Sequence, residues 1–366
     1  MSIRRLWLPS FVAALLTNIT GAAVFAQMVI PDPNLILHDA KHKEPKSGIE
    51  MSGNNIVIRS GVGTPTTINV LSFSRDGKLL AAGKDFGRVV LWDVTQRAFL
   101  RALDTGQGIV RVVAISPDDQ LIATAGTDGD PNIKLWHLPD GKLRKSFYVG
   151  HPAVQRLAFG PEASSLLVAE NNGVTYVLDT TSGNHKLELP GEWGPVLSTD
   201  ATTLMTMSDT SVIFRSIGDW QQQKVLPKPA KLAIPLSLDM RLDTYIYGDY
   251  TEEYSFVAVR ASTGEILPNS RPVNLPKFNP STGYFASLSP NSGLVFGHTG
   301  GRLWAWDLKT GKTCISKVLY SESGDISPDG SLLAGAIDNS IIARDKTEPG
   351  VGLWQTNSIR EACGLQ

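Results

Sequence analysis

Cysteine is the scarcest chemistry-bearing residue in this chain: Cys314 and Cys363 stand alone among 366 residues, beside six histidines. A cysteine-rich metal site is therefore excluded. No Cys-x-x-Cys-His attaches a haem, and no His-Glu-x-x-His sets a zinc ion beside a general base. No Gly-rich loop leads into a helix to cradle phosphate, and no Gly-x-Ser-x-Gly elbow presents a nucleophile. A Ser-His-Asp set that meets only in the fold stays open. His38 and His42, the pair at i, i+4 spacing, lie in a polar stretch between Pro33 and Pro45 and read as solvated chain. The expectation is no enzyme, no cofactor and no metal. An excess of one charge is also missing, with 34 basic against 35 acidic residues. The densest basic stretch, Lys41 to Lys46, is too small a footprint for a phosphate backbone, so no nucleic-acid partner is expected.

Long apolar runs are missing too, except near the N-terminus. Arg4 and Arg5 precede the apolar stretch Leu6 to Ile19, and small residues then lead to Val24-Phe25-Ala26. That order predicts a signal peptide over residues 1–26, cleaved after Ala26 to leave Gln27 first. An uncleaved anchor is the alternative reading, but Pro9, Asn18 and Thr20 interrupt the run short of the roughly 20 residues that span a bilayer. No cysteine follows the small residues, so neither a lipid anchor nor stable membrane insertion after cleavage is expected. The chain is expected to be secreted, periplasmic or extracellular, with its few cysteines suiting a bacterial periplasm. Residues 27–54, rich in Pro, Lys and His, read as an extension that is either ordered or a tether.

What the sequence does contain is a repeat. Four apolar runs end near a tryptophan, at Val89 to Asp93, Ile133 to His137, Leu303 to Asp307 and Val351 to Gln355. Degenerate copies at Val174 to Asp179, Val212 to Ser216 and Phe256 to Ala261 bring the number to seven. Each is preceded by another apolar run, and that run by a short strand closed with a turn such as Ser74-Arg75-Asp76-Gly77 or Ser327-Pro328-Asp329-Gly330. Pro, Asp and Gly suit tight turns, so each repeat reads as a meander of short strands. The period of roughly 37 to 48 residues fits four-stranded propeller blades, each of which needs its neighbours to cover its faces. The expected fold is all-β, a seven-bladed β-propeller over residues 55–366. Asn55 to Arg59 precede the first complete repeat and are expected to pair as the outermost strand of blade seven, closing the ring.

Leu91-Trp92-Asp93, Leu135-Trp136-His137 and Ala305-Trp306-Asp307 resemble the Trp-Asp dipeptide of WD-repeat propellers, and the resemblance spans about residues 55 to 357. It suggests a secreted bacterial member of that family. The family's buried network joins a His before the first strand, a Ser or Thr, an Asp in the second hairpin turn and the Trp. Here Gly150-His151 is the good match to the first element, while Leu178, Arg215 and Arg260 stand where the Trp would be. The resemblance implies a scaffold that binds a protein or peptide. The alternatives are a lactonase-like hydrolase, needing carboxylates or histidines at the central channel, and a non-catalytic subunit of an envelope redox or secretion complex.

Connections should carry the contacts, since the sheets form a rigid frame. The face with the second-to-third turns and the entries to each repeat collects Phe86, His151, Trp193, Tyr250, Tyr254 and the long stretch Asp338 to Gly350, with Arg344 and Lys346. Trp193, between Gly191 and Gly194, reads as an aromatic anchor or as a cap on the core edge. Cys314 and Cys363 each follow a Trp-bearing strand by eight or nine residues, in repeats six and seven. Either the C-terminal tail crosses to blade six and the two form a disulfide, or they remain separate buried thiols.

Overall fold

The first strand of a repeat ends where side chains of its turn take over the backbone's hydrogen bonds. In blade one Ser74 Oγ donates to Asp76 Oδ1 (2.7 Å) and accepts from the Leu79 amide (2.9 Å), while Asp76 Oδ1 accepts from the Lys78 amide. Ser116 with Asp118, Ser198 with Asp200 and Ser327 with Asp329 repeat the arrangement. These bonds satisfy turn amides and fix the first residue of the next strand. Burial pushes the Asp200 and Asp329 carboxyls up, but serine, threonine and backbone donors outweigh it and hold both below the ordinary carboxylate range.

The computed structural model describes strands at 28–30, 35–37, 49–52 and 55–58, and residues 67–365 apart from 127–132, 150–153, 171–172, 250–254, 271–284, 291, 300, 317–322 and 338–349. Seven antiparallel sheets follow in order. Their innermost strands are Ile68–Phe73, Val110–Ile115, Val154–Phe159, Trp193–Leu197, Ala233–Asp239, Phe285–Leu288 and Gly324–Ile326. Each packs beside the next, and the seventh returns to the first, so the sheets form a ring of seven blades. Blade five takes its fourth strand as a single bridge, Val259 to Ile266. The all-β, seven-bladed β-propeller expected from the repeats is the fold observed.

Ring closure differs from expectation in one element. The strand against the third strand of blade seven, Gly350–Gln355, is Leu35–Leu37, antiparallel, with Leu35 opposite Leu353. Asn55–Ile58 lies one place further out, parallel to Leu35–Leu37 through Ile36 and Val57, and Ile49–Ser52 pairs outside it. Asn55 to Arg59 therefore belong to the blade-seven sheet without being the strand that completes its four. Met28–Ile30 adds in parallel to the outer strand of blade six, Met28 opposite Cys314. Three short strands within residues 27–54 are thus built into the last two sheets. Among the described residues one α-helix stands beside the strands, the C-terminal Thr356–Cys363, capped by Gly364 in the left-handed conformation.

The core sits between blades. Buried apolar side chains fall into seven clusters, one at each blade boundary: Leu135 and Val168 between blades two and three, Phe296 and Leu333 between six and seven, Val90 and Ala334 across the closure from seven to one. Trp92, Trp304, Trp306 and Trp354 are among the largest fully buried side chains. A single blade has no core of its own, so removing one uncovers apolar area on both neighbours.

Candidate functional site

A buried polar network runs through Gln107, Thr124 and Trp136 in blade two and takes other forms in blades four and six. Trp136 Nε1 donates to Thr124 Oγ1 (3.1 Å), and Thr124 Oγ1 donates to Gln107 Oε1 (2.6 Å). Gln107 Nε2 returns a bond to the Thr124 carbonyl. Glutamine thus stands where the family has histidine. Blade four keeps the three positions with different chemistry. Arg215 replaces the tryptophan, Glu192 takes the place before the first strand, and Thr206 Oγ1 donates to Glu192 Oε2 (2.5 Å). The Arg215 guanidinium binds both carboxylate oxygens of Glu192, and both side chains are largely buried. Arg215 is therefore part of a substitute for the network rather than a sign of a failing repeat. In blade six Gly297 occupies the threonine position because the Trp304 ring fills that space; a Cβ there would lie 2.1 Å from Trp304 Cζ2. Without a hydroxyl at that position, the buried Trp306 Nε1 has no hydrogen-bond partner.

Each blade is a meander, so first-to-second and third-to-fourth turns share one face and the other connections share the opposite one. On the second face the Asp85–Gly87 turn presents Phe86 at φ 59°, with 73% of its surface exposed. Bulky side chains rarely adopt that conformation, and nothing in the core rewards it. The turn is held on both sides. Asp85 accepts from the Thr67 amide and Asn69 Nδ2 (2.9 Å each), and the Gly87 carbonyl accepts from the Thr105 amide and hydroxyl (2.7 Å each). Phe86 is a rigidly displayed exposed aromatic.

Trp193 begins the innermost strand of blade four, half-buried against the cluster shared by blades four and five. Lys228 Nζ lies 4.5 Å from its ring centroid. Gly194 has φ +61°, and a Cβ there would meet Pro235 at 2.7 Å, so the close approach of blade five needs glycine. Trp193 thus packs on the core edge with a cation over its ring. His151, Tyr250, Tyr254, Arg344 and Lys346 lie outside the described residues. Sequence reasoning missed Tyr148, 73% exposed in the connection from blade two to three, and Leu232, 53% exposed in the connection from four to five. Among the described residues, every large apolar side chain exposed in a turn or connection (Phe86, Tyr148, Val174, Leu232) lies on this one face; the others sit on outer strands. Single apolar residues in connections carry little sequence signal, and the asymmetry shows only once the face is known.

Cys314 and Cys363 are joined by a disulfide, with Cα atoms 5.9 Å apart. The C-terminal helix brings Cys363 to the outer strand of blade six, and Ile359, Cys363 and Leu365 bury with Cys314 in the cluster between blades six and seven. No group of three or more metal-ligating side chains occurs among the described residues, and no helix among them is long and apolar enough to cross a membrane. The described residues that line the cavity where the channel opens, on the face opposite Phe86, include one carboxylate, Asp325, and no histidine.

A closed ring of seven such blades places the chain in the β-propeller class. Residues 99–137, which include the outer strand of blade one and the Trp136 strand, match the family described as WD domain, G-beta repeat. WD repeat-containing protein 90 of Mus musculus is 29% identical over 149 residues, 37% of this chain and 8% of that protein. Apoptotic protease-activating factor 1 of Rattus norvegicus is 26% identical over 138 residues, covering 35% of this chain and 10% of the relative. Eukaryotic translation initiation factor 3 subunit I of Scheffersomyces stipitis is 31% identical over 106 residues, 29% of each chain. The matched stretches span a tenth or less of the first two relatives. These likenesses support a WD-repeat family for the chain.

Proposed function

We propose that this chain is an exported WD-repeat propeller that acts as a scaffold in the bacterial envelope, holding a protein or peptide on the face that carries Phe86. The observation that carries this reading is the restriction of exposed apolar side chains in connections to that face, with Phe86 held in an unfavourable conformation by bonds on either side. Exposed aromatics on rigid frames are the usual anchors of interfaces. The sequence also assigns His151, Tyr250, Tyr254, Arg344 and Lys346 to this face; they lie outside the described residues, and their part in the surface belongs to the proposal. Catalysis is no part of this reading.

The test is recovery of a partner from the envelope fraction of the source organism by the immobilised chain starting at Gln27. Phe86→Ser with Tyr148→Ser should reduce a specifically recovered protein at least about tenfold, the loss of one aromatic anchor. Leu143→Ser with Val225→Ser, on outer strands, should leave it unchanged. Equal loss in both pairs defeats the assignment of the face. Export has its own check: N-terminal sequencing of the native protein should begin at Gln27, and an intact leader on a cytoplasmic protein defeats that part.

A further inference from the structure

The central channel opens, on the face opposite Phe86, into a cavity of about 310 Å³. One innermost-strand position in each blade contributes to the ring's inner wall. In blades one to six it is serine, alanine or valine, as at Ser72, opposite Ala81, and Ser237, opposite Ile246. In blade seven the same register, opposite Ala334, holds Asp325. Asp325 Oδ2 accepts from the Phe73 amide of blade one (2.8 Å), and Oδ1 from the Ile326 amide (2.9 Å). Ser237 Oγ makes the equivalent bond between blades five and six, accepting from the Leu288 amide at 2.9 Å. A hydroxyl therefore suffices to tie one blade to the next. The negative charge of Asp325 needs another explanation.

Its surroundings supply one. Asp325 lies deep in the ring, where burial pushes its carboxyl up to about 6, and its accessible surface faces the cavity. The other charged residue of the lining is Arg75, two residues past Phe73 and so nearer the mouth. Its Nη2 donates to the Asp200 carbonyl of blade four, across the opening (3.1 Å), which uses one of the guanidinium's five N–H donors. Leu157, Phe159, Leu197 and Leu288 line the wall between hydroxyls of Ser72 and Ser287. One anion deep, one cation at the mouth and an apolar waist form a dipolar container. Asp325 shares the register of Ser72, while Arg75 lies in the turn beyond Ile68–Phe73, so the two charges line the cavity at different depths. The space has ample room for a ligand of roughly ten heavy atoms.

We infer that this cavity is a binding site for a small zwitterion of the amino-acid class, its ammonium on Asp325 and its carboxylate on Arg75. The ammonium completes the desolvated carboxylate with charge-assisted hydrogen bonds, and Arg75 exchanges a carbonyl for a carboxylate. The site is independent of the partner-binding face, which lies at the other end of the channel.

The test is calorimetric titration of the chain starting at Gln27 with L-alanine and L-valine, beside L-alaninamide and N-acetyl-L-alanine, each lacking one charge. Saturable binding of the free amino acids is expected, at least tenfold weaker for either blocked form. Asp325→Ser keeps an interblade acceptor like that of Ser237 and should weaken L-alanine binding at least tenfold; Arg75→Gln, at an exposed residue whose loss leaves the fold intact, should do likewise. Absence of saturable binding up to roughly 10 mM, where affinity is worth under about 3 kcal/mol, overturns the proposal. So does equal affinity for the blocked forms, or undiminished binding by Arg75→Gln.

Discussion

At the scale of single residues, most of the tension sits in the hairpin turns and the channel. The fourth turn residue takes a left-handed conformation, filled by Gly77 and Gly330 in blades one and seven but by Asp119 in blade two, at φ 56°. Asp119 Oδ1 is buried without a partner, and burial, with Asp76 nearby, raises its pKa. Asp119→Gly should therefore raise stability by about 1 kcal/mol, the left-handed strain and orphaned oxygen outweighing glycine's entropy. Urea denaturation decides it, and a lower midpoint would refute the strain. Asp325 gives a pH signature. Its folded pKa, about 6, exceeds the ordinary 3.8, so the native state binds its proton more tightly than the unfolded chain. The resulting stabilisation is full below about pH 4 and lost as pH rises through 6. One pKa unit is about 1.4 kcal/mol, so Asp325→Ser should gain on the parent by up to about 3 kcal/mol between pH 4 and pH 7. Parallel pH profiles of the two proteins would show that the carboxyl is not desolvated.

At the scale of elements, the Cys314–Cys363 bridge fastens a piece that has no blade of its own. It ties the C-terminal helix to the outer strand of blade six, against which Met28–Ile30 also pairs. Arg360 Nη2 adds a bond to the Ser292 carbonyl (3.1 Å). The bond closes a loop with a sequence separation of 49, for which chain entropy gives about 4 kcal/mol. Cys363→Ser should lower the melting temperature by about 6 °C. A change of only a degree or two would mean that the buried Ile359 and Leu365 hold the helix unaided. The repeats were legible in the sequence because Ser-Arg-Asp-Gly and Leu-Trp-Asp are dense local signals. Leu35–Leu37 was not, because three apolar residues near prolines are too short to read as a strand, whereas Asn55 to Arg59 carry three consecutive β-branched residues and drew the assignment. The blade-four network was hidden for another reason. Glu192, Thr206 and Arg215 make sense only together, and a lone arginine at a tryptophan position reads as decay.

At the scale of the whole molecule, ring closure depends on how the N-terminal strands hang on blade seven. That blade joins blade one through the Phe73–Asp325 bond and through Ala334, Ala336, Val351 and Leu353 packed on Ile68, Phe73 and Val90. Leu35–Leu37 completes it, and the hairpin of Ile49–Ser52 and Asn55–Ile58 reaches the sheet only through that strand. Ile36→Pro, which disrupts the pairing of Leu35–Leu37, therefore unhooks the closing strand and the hairpin together while leaving Met28–Ile30 on blade six. Deleting residues 49–58 removes the hairpin and leaves the closing strand paired. The first change should lower the melting temperature by about 5–10 °C more than the second, since each lost kcal/mol shifts a domain of this size by only a few degrees. It should also broaden the calorimetric transition, because an incomplete seventh blade loosens its boundary with blade one while blades two to five keep theirs. Equal losses in both proteins, with transitions of unchanged width, would mean that the outer hairpin contributes as much to closure as the strand directly bonded to blade seven.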